Sequence, residues 1–151
     1  MNLTWETFRN VLFALALAGA AGEIAAKETP ADLSGVTLVD AARVQSMMSA
    51  GVAVYDVRVA AEYAEAHIKG AKSLPYREKS AKEVGFDRKL DSFDLEKLGA
   101  DRNVPVIFYC NAGDCWKSYK ASKVAVDAGF KRVHWYRGGI PDWRSKGLPV
   151  D

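Results

Sequence analysis

Val104-Pro105-Val106-Ile107-Phe108-Tyr109 runs directly into Cys110-Asn111-Ala112-Gly113-Asp114-Cys115, and that into Trp116-Lys117-Ser118-Tyr119-Lys120-Ala121. The first six residues carry no charge and are β-branched or aromatic apart from Pro105, which a strand tolerates only near its start. Such a run reads as the strongest strand in the chain. From Trp116 to Ala128 the chain reads as a helix stopped by Gly129. Ala121, Val124 and Ala128 form its inner face, and Lys117, Lys120 and Lys123 lie together at three-residue spacing.

The same alternation extends outward in both directions. Asp40 is placed to cap a helix in which Ala41, Val44 and Met48 share a face, and Gly51 closes it. Val52-Ala53-Val54-Tyr55 reads as a buried strand, Ala60 to His67 as a helix, and Gly70 and Pro75 bracket another short extended piece. Residues 77 to 91 are rich in Lys and Arg and read as a solvated loop, and Ser92 to Leu98 as a short helix. Val133-His134-Trp135-Tyr136 predicts a last strand, followed by Gly138-Gly139 and a short helix around Asp142 to Lys146. Strands alternating with helices in this way predict an α/β fold: a parallel sheet with helices on both faces.

Composition narrows the function. The chain has 151 residues, 49% of them hydrophobic, and a formal charge of +2. That is one domain's worth of core, with too little positive charge for a protein held to nucleic acid by phosphate contacts. Two cysteines exclude a disulfide framework and a four-thiolate zinc site. With the two histidines far apart in sequence, no metal site is expected. At the N-terminus, residues 11 to 22 are uncharged and apolar or small, and as a helix they rise only about 18 Å against a hydrocarbon core of ~30 Å. With Arg9 before them and small residues after, residues 1–26 read as a signal peptide cleaved after Ala20 or Ala26. The expected location is therefore the periplasm, with membrane anchoring if the leader stays uncleaved. Cleavage after Ala26 removes Arg9, Glu6 and Glu23 and makes the chain one charge more positive.

Both cysteines fall in the loop between the strongest strand and its helix. Ligands of open α/β sheets bind at the carboxyl ends of strands, where the next helix presents its N-terminus. A thiolate there gains from the helix dipole and from loop N–H groups, which lower its pKa. Gly113 is expected to let the loop turn its amides inward by adopting a positive φ. From spacing alone Cys110 suits a persulfide-forming nucleophile, one half of a dithiol redox pair, or a phosphatase-like cysteine. The last wants an arginine closing the loop to hold phosphate, and none lies within 110–115.

Four segments resemble the rhodanese-like domain, in order. They are Asp56-Val57-Arg58 with Glu62-Tyr63 and His67-Ile68-Lys69-Gly70-Ala71; Ser73-Leu74-Pro75; Tyr109-Cys110-Asn111-Ala112-Gly113; and Gly138-Gly139-Ile140-Pro141-Asp142-Trp143 with Gly147-Leu148-Pro149-Val150. The resemblance covers residues 36–151. It implies a single-domain sulfurtransferase with Cys110 as catalytic sulfur carrier and Asn111, Ala112, Gly113, Asp114, Cys115 and Trp116 completing the active loop. A small donor such as thiosulfate or polysulfide would load a persulfide on Cys110, and a thiol or cyanide-like acceptor would take the sulfur, with no cofactor. Lys117, and Lys120 beside it, are placed to attract an anionic donor, while Arg58 and Glu62 read as a structural pair and His67 as a structural histidine. Asp114 in the loop opposes a dianion. Cys115 adds a resolving or redox thiol, and Cys110, Cys115 and Trp116 are similar to an exported C-x4-C-W variant of the family. Some of that group are associated with quinoprotein-dependent alcohol oxidation. The second reading is therefore a redox or binding module, using a Cys110–Cys115 disulfide and serving a periplasmic protein partner without turnover of its own.

Overall fold

The computed structural model describes residues 27–151, so the expected signal peptide lies outside the described residues. Five parallel strands are ordered β1-β5-β4-β2-β3: β1 (Val36–Leu38), β2 (Ala53–Asp56), β3 (Lys72–Ser73), β4 (Val106–Tyr109) and β5 (Val133–Tyr136). The helices are α1 (Ala41–Ser49), α2 (Ala60–Glu65), α3 (Trp116–Asp127) and α4 (Gly139–Ser145). The expected α/β class and parallel topology are those observed.

β4 is central, and all four of its residues are buried. Its parity sorts the core. Val106 and Phe108 face α3 with Tyr55, Val133, Ala121 and Val124, while Ile107 and Tyr109 face α1 and α4 with Val44, Ile140 and Trp143. A strand covered on both sides shows a continuous apolar run, which is why 104–109 carries no alternation. Continuing the parity, Cys110 joins the α3 side. α1 starts where expected, with the Asp40 side chain accepting from the Arg43 N–H at 2.8 Å.

Several boundaries differ from expectation. The α2 helix stops at Glu65 because Ala66 is already extended and His67 pairs through its backbone with Asp151. Ser92 to Leu98 holds only a 3-10 turn over Leu95–Leu98, and α4 begins three residues early, at Gly139. Residues 77–91 are largely exposed, as expected of a solvated loop, but they are pinned rather than free. They form an arm folded back on α3, with Ser80 buried and the Asp91 carboxylate 1% exposed. Lys120, expected near the surface beside Lys117, is fully buried beneath the arm. Its ammonium meets Glu78 at 2.8 Å and the Ser80 hydroxyl at 2.8 Å, and lies 3.9 Å from Asp91.

Candidate active site

β4 ends at Tyr109, and Cys110 follows in the core, 1% exposed. The chain turns back through a Cys115 N–H to Ala112 carbonyl bond of 3.0 Å and enters α3, whose N-cap is Cys115 itself. Cys110 and Cys115 are joined by a disulfide, with Cα atoms 6.2 Å apart. Neither carries a titratable thiol in this form. The two sulfurs differ in setting: Cys110 is sealed, while Cys115 is half-buried and borders a cavity of about 220 Å³ lined also by Asn111, Asp114, Trp116, Lys117 and Lys82.

The loop is held from three sides. On one, α4 presses its first turn against it: the Ile140 N–H donates to the Cys110 carbonyl at 3.1 Å. Gly139 has φ +64°, and a Cβ there would collide with the carbonyl oxygens of Cys110 and Asn111. On the second side, Asn111 Nδ2 donates to Glu62 Oε1 at 2.8 Å, at the rim of a cavity of about 640 Å³ that Arg58, Ile140 and Arg144 also line. On the third, residues 27–30 form a strap. The Thr29 N–H donates to the Gly113 carbonyl at 2.9 Å, and the Trp116 indole N–H donates to the Lys27 carbonyl at 2.7 Å.

An arginine does stand against the loop, although none lies within it. Arg137, at the end of β5, packs its guanidinium over Gly113 and gives its donors to the Thr29 carbonyl at 2.8 Å, the Thr29 hydroxyl at 3.1 Å and Glu28 at 3.2 Å. Gly113 itself does not adopt a positive φ, contrary to expectation. The Arg137 guanidinium occupies the space a side chain would take, its carbon 2.8 Å from where a Cβ would lie. Sequence reasoning missed Thr29, Arg137 and the bracing role of Gly139. Only the last left a trace, in the Gly138-Gly139 pair.

Arg58 and Glu62 do not pair with each other. Arg58 is buried and lies on Asp56, with Nη2 2.6 Å from Oδ2 and Nε 3.0 Å from Oδ1, and a further bond of 2.6 Å to the Ala66 carbonyl. Asp56 is fully buried, so it demands the nearest cation, two residues on, and leaves Glu62 to Asn111. The Tyr109 hydroxyl completes that cluster, donating to Asp56 at 2.6 Å. Burial first, then the Asp56 charge, push this phenol far above the ordinary tyrosine range, so it stays a donor. Of the two lysines expected to attract anions, Lys117 lies half-buried beside Cys115 and Lys120 is spent beneath the arm. Trp116 is buried beneath the strap and Trp143 in the core. His67 stacks on Tyr63 at 3.8 Å, with Nδ1 2.9 Å from the Tyr63 carbonyl. Burial, then the charges of Arg132 and Arg43, lower the pKa of His134, which favours its neutral form.

Residues 40–146 match the model of the family described as rhodanese-like domain. This chain belongs to the rhodanese-like family. Among curated relatives, it is 31% identical over 99 residues to a protein of Allochromatium vinosum named sulfurtransferase, covering 66% of this chain and 78% of that one. It is 29% identical over 104 residues to thiosulfate sulfurtransferase 16, chloroplastic, of Arabidopsis thaliana, covering 69% and 83%. Among solved structures, a protein from Bacillus halodurans superposes with a TM-score of 0.57 at 26% identity, covering 76% of each chain. The polysulfide-sulfur transferase of Wolinella succinogenes shares the fold with a TM-score of 0.55 at 20% identity, covering 78% of this chain and 79% of that one.

Proposed function

We propose that this protein is an exported, periplasmic sulfurtransferase that carries sulfane sulfur as a persulfide on Cys110. The observation that carries this reading is the placement of Cys110 at the carboxyl end of the central strand, in a loop that feeds a 12-residue helix. With the disulfide opened, the Cys110 thiolate attacks the sulfane sulfur of a donor such as thiosulfate or polysulfide. The S–S bond of the donor breaks, sulfite or a shortened polysulfide leaves with the electron pair, and one sulfur stays on Cys110. A thiol or cyanide-like acceptor then takes it. The helix N-terminus and loop amides favour thiolate and persulfide anion alike. The relatives named sulfurtransferase and thiosulfate sulfurtransferase support the reaction class, and Lys117 supplies positive charge at the cavity beside the loop.

The test uses reduced Cys115→Ser protein, in which no internal disulfide competes. Incubation with thiosulfate or polysulfide should add one sulfur atom to Cys110, seen by mass spectrometry of the tryptic peptide. No loading from any sulfane donor on a demonstrably free Cys110 overturns the proposal. The disulfide favours a second reading, a non-turnover redox or binding module for a periplasmic oxidation system. That reading expects reversible Cys110–Cys115 chemistry with little sulfur transfer, so the same loading experiment separates the two.

A further inference from the structure

The sequence reading makes Cys115 a resolving or redox thiol without saying what it resolves, and the loop places it in bonding contact with the sulfur carrier. We infer that Cys115 discharges the Cys110 persulfide within the loop, making the protein a sulfane-sulfur reductase that releases sulfide and is reset by an external dithiol at Cys115. This rests on Cys110 being loaded as proposed above.

The discharge step balances internally. The Cys115 thiolate attacks the Cys110 Sγ of the persulfide, and a bond forms between the two protein sulfurs. The bond from Cys110 Sγ to the outer sulfur breaks, and that sulfur leaves with the electron pair as hydrosulfide, taking up the proton that the Cys115 thiol gives up to become the attacking thiolate. The two cysteines are oxidised by two electrons and the sulfane sulfur is reduced by two. The product is the loop as the structure shows it, with Cα atoms 6.2 Å apart and the backbone closed by the Cys115-to-Ala112 bond. Cys115 suits the attack because it is the N-cap of α3, at the start of a 12-residue helix. A thiolate at that position faces the helix's free N–H groups.

Resetting has a direction. In the closed loop Cys110 is 1% exposed and borders none of the described cavities, whereas Cys115 lines the 220 Å³ cavity. An incoming thiolate therefore meets the Cys115 sulfur, and Cys110 leaves as the thiolate. The partner's second thiol then attacks the mixed disulfide, freeing Cys115 and leaving the partner oxidised. With thiosulfate as donor, the sum is thiosulfate and a dithiol going to sulfite, hydrogen sulfide and a disulfide.

The decisive experiment gives reduced wild-type protein one equivalent of thiosulfate or polysulfide with no added thiol or cyanide. The expected result is one equivalent of sulfide released and a Cys110–Cys115 disulfide in the peptide map, while Cys115→Ser keeps its extra sulfur and releases none. A wild-type protein that keeps the persulfide as Cys115→Ser does overturns the inference but leaves the sulfur-carrier reading standing. Failure of both proteins to load overturns both. The order of attack is read separately, on wild-type protein whose oxidised loop is opened by a monothiol and quenched with acid. The thiol adduct should lie on Cys115, in about tenfold excess over Cys110 or more. Equal labelling, or an adduct on Cys110, overturns the assigned direction of reset.

Discussion

Gly139 shows how much of this site is decided at the scale of one methyl group. It combines a φ of +64° with an approach to the Cys110 and Asn111 carbonyls that leaves no room for a side chain. Both obstacles are backbone, so neither can move aside cheaply. Gly139→Ala should lower unfolding stability by about 2–3 kcal/mol and weaken sulfur loading. Gly113→Ala meets only the Arg137 guanidinium, which can swing away, so chemical denaturation should show a loss at least about twofold smaller. At this scale the sequence was least legible. It pointed to Cys110 and its loop, because a strand end, a thiol and a helix start are consecutive in the chain. It misassigned Arg58, because which of two carboxylates captures a guanidinium depends on burial, and Asp56 is the deeper. Arg137 and Thr29 were invisible, since each reaches the loop from a distant stretch of chain.

At the scale of elements, the arm over 77–91 is the least conventional piece, and its stability is electrostatic. Burial alone would raise the Asp91 pKa. The hydroxyl and N–H of Ser80, the Lys79 N–H and the Tyr76 hydroxyl outweigh that and bring it to about 2. A carboxylate depressed in the folded state stabilises above its unfolded pKa of about 3.9 and loses that contribution as pH falls towards 2. Unfolding measured between about pH 4 and pH 2 should therefore show a falling stability whose slope Asp91→Asn reduces, with the Asp142 carboxylate, also held low by Lys146 and Tyr136, keeping part of it. Lys120→Met removes the buried cation that Glu78 and Asp91 share, and equilibrium denaturation should register a loss of about 3–5 kcal/mol. The main strands and helices were legible because glycines and apolar runs mark them. The arm was not, because its many lysines and arginines masked the few residues, Ser80 and Asp91, that hold it down.

For the whole molecule, the sheet builds a rigid seat and the disulfide closes a loop of only a few residues on top of it. Chain-entropy reasoning gives such a short closure about 2 kcal/mol, well below what a long loop would contribute. Reduction should thus lower stability by no more than about 2 kcal/mol in thermal or chemical unfolding, while it changes the reactivity of Cys110 altogether. A larger collapse on reduction would mean the bond is a structural staple. The fold class was readable from the alternation of elements, but the oxidation state of the pair was not. Spacing allows a bond without requiring one.

The strap formed by residues 27–30 bears on where this protein can be cut. The family match begins at residue 40 and the first strand at residue 36, so either looks like a natural start for a shortened chain. A chain begun there would strip the Trp116 indole, the Gly113 carbonyl and the Arg137 guanidinium of their Lys27, Glu28 and Thr29 partners at once. The unit that holds the Cys110 loop in place is therefore longer than its recognisable motifs, and its front margin is part of that loop's support.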